Sequence, residues 1–131
     1  MFGKKKSFPG IVALYYEGLS GFDQNCVLYI NHDDQGVKFI KPNSDLVVTL
    51  PYEKLLTVEY MPEPDYMLRY HNNQTATSKS KVEKWYVVIQ YKTENETKTI
   101  GLWTVPGKEL TALRAELTQA LQHSAPQSYT L

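Results

Sequence analysis

Catalytic chemistry in this chain would have to be assembled from few parts. The histidines are His32, His71 and His123, and the only cysteine is Cys26. A hydrolytic triad needs a nucleophile, a base and a group that orients the base, and all three histidines fall in predicted loops or the tail. His32 precedes Asp33 and Asp34, which suggests a base with its orienter or a metal site; on a hairpin tip the same residues read as solvated turn formers. Glu94 and Glu96 occupy another predicted tip, where nothing supplies the desolvating cleft that a paired general acid and base requires. Cys26 opens the apolar run Cys26 to Ile30 and reads as a small buried hydrophobe. No CxxC, HExxH, GxGxxG or GxxxxGK[ST] pattern is present, so structural zinc and nucleotide chemistry are not expected. The chain is therefore expected to be a non-enzyme without a cofactor.

Two patches remain. Lys4, Lys5 and Lys6 sit between Phe2 and Phe8, a pattern able to touch an anionic membrane at about 1 kcal/mol per lysine, although a flexible, solubilising basic N-terminus over residues 1–9 is the simpler reading. Ten tyrosines, four of them between Tyr60 and Tyr86, are the other unusual feature. Tyr suits both half-buried strands and interfaces. Within this region Tyr66, Met67, Leu68, Arg69 and Tyr70 form an apolar insert. Read as extended chain, Tyr66, Leu68 and Tyr70 share one face and Met67 and Arg69 the other, and the segment is nominated as a contact surface or an extended hairpin arm.

The elements that must position these residues are mostly strands. Seven runs alternate at period two. Ile11 to Gly18 is apolar on both faces, so it is expected to be covered on both. Cys26 to Asn31 and Val37 to Lys41 flank a five-residue turn closed by Gly36. Leu46 to Leu50 ends at Pro51, a corner that blocks the ladder and redirects the chain. Leu56 to Tyr60, Trp85 to Tyr91 and a run ending at Trp103 follow, the last two as a hairpin around Thr93 to Glu96. Gly101 inside a strand reads as a bulge or a close contact. After Pro106 the period changes. Leu110, Leu113, Leu117 and Leu121, with Ala120 alongside, make one stripe on a helix of roughly 16 residues, with Pro106 in its first turn. The stripe reads as core, which leaves Glu116 outside it. Residues 62–83 are a long connection, and 123–131 a flexible tail.

Composition agrees with one folded domain over residues 10–122. The chain has 131 residues, 42% of them hydrophobic, and 14 basic side chains balance 14 acidic ones. With no net field, bulk electrostatic binding of nucleic acid is not expected. A lone cysteine forms no internal disulfide, the apolar stretch after Pro9 is too short for a signal peptide, and no run approaches a membrane span, so a soluble cytoplasmic protein is expected. The triplets Asn73-Gln74-Thr75 and Asn95-Glu96-Thr97 read as chance matches to a glycosylation signal.

Seven β-runs, the last two a hairpin, and then one amphipathic helix resemble the layout of the pleckstrin-homology-like (bacterial PH-like or GRAM-like) domain family. Gly36-Val37-Lys38-Phe39, Leu50-Pro51-Tyr52-Glu53-Lys54-Leu55 and the Tyr91 to Ile100 hairpin look like phrases of its small bacterial members. The resemblance implies a mainly β fold with one C-terminal α-helix: a seven-stranded barrel of two nearly orthogonal antiparallel sheets, capped by that helix. Members that bind phosphoinositides place Lys and Arg on the first hairpin, whereas Leu19 to Asn25 holds no basic residue, so that ligand is not expected. The reading that follows is a non-catalytic binding or scaffolding module, contacting a protein partner or its own copies. A small-molecule or lipid carrier using a barrel cleft, and weak membrane attachment through Lys4, Lys5 and Lys6, are the alternatives.

Overall fold

The computed structural model describes residues 10–72 and 83–124; Lys4, Lys5 and Lys6 lie outside them. The chain is mainly β. The strands are β1 (Ile11–Glu17), β2 (Val27–His32), β3 (Gly36–Ile40), β4 (Val47–Pro51), β5 (Leu55–Pro62), β6 (Trp85–Lys92) and β7 (Thr97–Thr104), with helices α1 (Glu63–His71) and α2 (Lys108–Ser124). All seven strands join one antiparallel sheet in the order β4-β3-β2-β1-β7-β6-β5. Where two sheets were expected, continuous hydrogen bonding from β1 to β7 makes one, with β4 and β5 as its edges. Pro51 ends β4, and the 3-10 turn Tyr52–Lys54 carries the chain from one edge of the sheet to the other.

Alternation along each strand gives the sheet two faces. One carries Ala13, Tyr15, Leu28, Ile30, Val37, Phe39, Val87, Ile89, Ile100 and Leu102, and on it lies α2 through Leu110, Leu113, Leu117 and Ala120. Leu113 and Leu117 are wholly buried, so the leucine stripe is core. Its helix starts later than Pro106: Gly107 adopts φ +138° and its carbonyl accepts the Thr111 N–H at 3.0 Å, leaving Pro106 in the preceding turn.

The opposite face carries a second, smaller core of Met61, Tyr66, Met67, Tyr86 and Val88, with Tyr16, Tyr70 and Trp103 packed against it. Here the chain departs from the expected extended segment, because residues 63–71 are helical. Pro62 precedes the helix, a second proline sits in its first turn, Glu63 and Asp65 face the positive end of the dipole, and Arg69 and His71 the negative end. Asn72 then stops it in the left-handed conformation, its N–H donating to the Met67 carbonyl.

His32 and His123 also fall differently from expectation. His32 ends β2 and is half-buried: its backbone N–H donates to Glu116 Oε2 at 2.9 Å, and its ring Nδ1 pairs with the same oxygen. Glu116 is thus a tie between α2 and the sheet. His123 lies within α2, and its ring stacks on Tyr52 with centroids 4.4 Å apart and planes 8° from parallel. Cys26 is half-buried, and its carbonyl accepts the Tyr15 N–H at 2.8 Å. No helix among the described residues is long and apolar enough to cross a membrane.

Candidate functional site

The nominated segment becomes two surfaces when it is wound as a helix. A 3.6-residue period turns Tyr66 and Met67 onto the sheet, where both are buried, and turns Leu68 and Arg69 outward. Leu68 is 47% exposed. Tyr66 and Met67 are therefore corrected from contact residues to core, and Tyr70 is half-buried between the two surfaces.

The buried side of α1 is an aromatic and carboxylate network. Tyr66 stacks on Tyr86 at 4.2 Å and 11°, and Tyr16 meets both rings edge-on at 5.7 and 5.3 Å. The Tyr66 hydroxyl donates to Glu17 Oε2, an oxygen that His71 Nε2 also approaches at 2.7 Å. The Tyr86 hydroxyl donates to Glu63 Oε2 at 3.2 Å. A register shift between Tyr15 and Glu17 makes this geometry possible. The bulge places the consecutive residues Tyr16 and Glu17 on the same face of the sheet, one supplying a ring and the other the carboxylate.

Burial first, and then the Glu17 carboxylate, pushes the Tyr66 phenol well above the ordinary tyrosine range. Tyr86 is raised by burial and then by Glu63, and Tyr16 by burial and then by Glu17 and Glu63. These hydroxyls stay protonated donors in neutral solution. Their hydrogen bonds to Glu17 and Glu63 tie α1 to the sheet.

The exposed side is fixed as well. Arg69 Nη2 reaches Glu59 Oε2 on β5 at 3.2 Å, and the Tyr70 hydroxyl donates to Glu59 Oε1 at 3.3 Å. The Arg69 guanidinium also stands over the Tyr70 ring, 5.6 Å from its centroid. One carboxylate therefore anchors two successive residues of the helix. The outcome is a short ridge of Asp65, Leu68, Arg69 and Asn72, all exposed, with positions three and four apart on one helical face.

Elsewhere, Glu94 and Glu96 are exposed at the β6–β7 turn, and the Thr93 N–H donates to the Glu96 carbonyl at 2.8 Å. The first loop, which has no basic residue of its own, receives one from afar: Lys41 Nζ donates to the Gly21 carbonyl at 2.9 Å. Sequence reading missed Glu59, Glu17 and Glu116, whose partners are 10 or more residues away along the chain. Among the described residues no group of three or more His, Cys, Asp or Glu side chains is placed to hold a metal ion. No family model, curated protein or solved structure matches the chain.

Proposed function

We propose that the chain is a non-catalytic protein-binding module of pleckstrin-homology-like fold that engages its partner through the outward ridge of α1. The observation that carries this reading is the contrast within one turn of helix: Tyr66 is fully buried in the sheet while Leu68, two residues on, is 47% exposed. A helix pinned by a stacked tyrosine pair and by Glu59 presents Leu68 and Arg69 in one fixed geometry, so little side-chain entropy remains to be lost on binding. Exposed Leu flanked by Arg and Tyr is also a residue set suited to a protein surface.

The fold assignment draws support from the strand order and from chain length at the Pro51 corner. Seven strands laid flat would separate β4 from β5 by about 29 Å, six spacings of about 4.8 Å. Four residue steps from Pro51 to Leu55 reach at most about 14 Å. The sheet therefore curls, and Leu50 and Leu55, on opposite edges, belong to one buried cluster. A curled sheet plugged by the leucines of α2 is what a barrel-like domain of this family requires.

The test is a Leu68→Ser, Arg69→Ala variant compared with the wild-type chain. The reading expects an unchanged circular dichroism spectrum and thermal midpoint, with loss of the proteins that co-purify with the wild type. Unchanged co-purification from a folded variant would count against it.

A further inference from the structure

The edge of the sheet at β5 brings together outward backbone groups, a buried hydroxyl and a cation. β5 pairs within the sheet with β6 alone. The Glu63 N–H donates to the Lys84 carbonyl at 3.0 Å, which makes residues 63 and 84 a hydrogen-bonded pair continuing this ladder. Hydrogen-bonded and non-bonded pairs alternate along antiparallel strands. Met61, Glu59 and Thr57 therefore bond to β6, while Val58, Tyr60 and Pro62 turn their backbone groups away from it. Pro62 fits that phase, because an edge strand tolerates proline where the missing N–H would have faced outward.

On the α2 side of this edge, Val58 and Tyr60 pack at the margin of the main core. The Tyr60 hydroxyl oxygen is buried and, among the described residues, has no hydrogen-bond partner, although buried hydroxyls ordinarily find one. Arg114 of α2 is exposed, and its guanidinium stands over the Tyr60 ring, 4.7 Å from the centroid. Among the described residues no carboxylate pairs with it.

We infer that the β5 edge receives an extended peptide strand of a partner protein, carrying an acidic side chain opposite Tyr60. Such a strand takes up the outward N–H and C=O groups of Val58 and Tyr60. Residues directly opposite each other on antiparallel strands put their side chains on one face, so the side chain across from Tyr60 points to the α2 side, beside Arg114. A carboxylate there pairs with the guanidinium. As the guanidinium turns to it, the Tyr60 hydroxyl is uncovered and donates to the same carboxylate. The peptide residue across from Val58 meets the core margin and is apolar. On the other face Glu59 is already held by Arg69 and Tyr70, so the intervening residue needs no charge.

The same chemistry excludes a second copy as the strand. The sheet has two edges, β4 and β5. β4 has no acidic residue, and the one acid of β5, Glu59, is engaged by Arg69. The register shift between Leu55 and Thr57 and the proline at residue 62 also keep the regular edge short, which suits a peptide segment better than the edge of another sheet.

The test is amide resonance mapping on the full chain, titrated with the acetylated, amidated heptapeptide Thr-Val-Thr-Glu-Thr-Val-Thr and with the same peptide carrying Gln for Glu. The Val58 and Tyr60 amides should shift, with the Glu peptide binding roughly tenfold tighter than the Gln peptide. In Arg114→Gln, an exposed position, the two peptides should bind alike at an unchanged thermal midpoint. Val58 and Tyr60 amides that stay fixed at about 5 mM Glu peptide overturn the inference, as do shifts confined to α1. Equal binding of the two peptides by the unmutated chain overturns it without any variant, and so does a preference for Glu that survives in Arg114→Gln.

Discussion

Gly101 of β7 lies directly under the phenol of Tyr66 from α1. A Cβ at residue 101 would stand 3.2 Å from Tyr66 Cζ and 3.3 Å from Glu17 Cγ, and closer still to the Tyr66 hydroxyl oxygen. The glycine opens the sheet surface so that the Tyr66 hydroxyl can reach Glu17, the residue that pairs with Gly101 across the β1 bulge. Because Tyr66 is stacked and fully buried, its ring has no room to retreat. Gly101→Ala should therefore destabilise the domain by about 1 to 3 kcal/mol, the usual range for overpacking, measurable as a lower urea midpoint. In the double variant Gly101→Ala, Tyr66→Phe, part of that loss should return.

Glu116→Ala removes the acceptor of both the backbone N–H and the ring of His32. A loss of about 1 to 2 kcal/mol is expected from denaturant unfolding, against less than about 0.5 kcal/mol for Thr118→Ala, an exposed position on the same helix. From the helical stripe alone Glu116 looks dispensable. Its partner is 84 residues away in sequence, and no local pattern encodes such a contact.

Leu113→Asp and Leu117→Asp each place a carboxylate at a wholly buried position of the α2 stripe. Each should cost several kcal/mol and abolish the cooperative thermal transition, whereas Leu68→Ser should leave it within about 0.5 kcal/mol of wild type.

The tyrosine network predicts an alkaline limit. Tyr16, Tyr66 and Tyr86 are raised in the folded chain above the ordinary tyrosine value, first by burial and then by neighbouring carboxylates. Between pH near 10 and the higher folded values the unfolded chain has lost protons that the folded chain keeps, so stability is fully present below about pH 10 and falls as pH rises beyond it. Phenolate absorbance should show these tyrosines ionising only together with unfolding.

Most of the strands and α2 are legible in the sequence because a buried face imposes period two on a strand and a stripe on a helix. The helix α1 is harder to read. Tyr66, Leu68 and Tyr70 alternate as a strand would, and at nine residues the helix is too short to reveal its own period. The evidence for it lies at its ends: the two prolines at its start, the acidic first turn, the basic last turn and Asn72. The candidate site is only half legible for the same reason. Leu68 and Arg69 stand out as interface residue types, but Tyr66 and Met67 do so equally, and only the helical twist separates the exposed pair from the buried one. Nor does alternation foresee the Tyr16 and Glu17 bulge, which breaks the rule that neighbours face opposite ways.

Docking of a partner protein on the ridge of α1 is tested most directly by in-cell photo-crosslinking with a photoreactive side chain placed at Leu68 and, separately, at Gln119 on the exposed side of α2. A discrete protein adduct is expected from Leu68 and none from Gln119. Equal adducts from both positions, or none from Leu68 in a chain that remains folded, would contradict it.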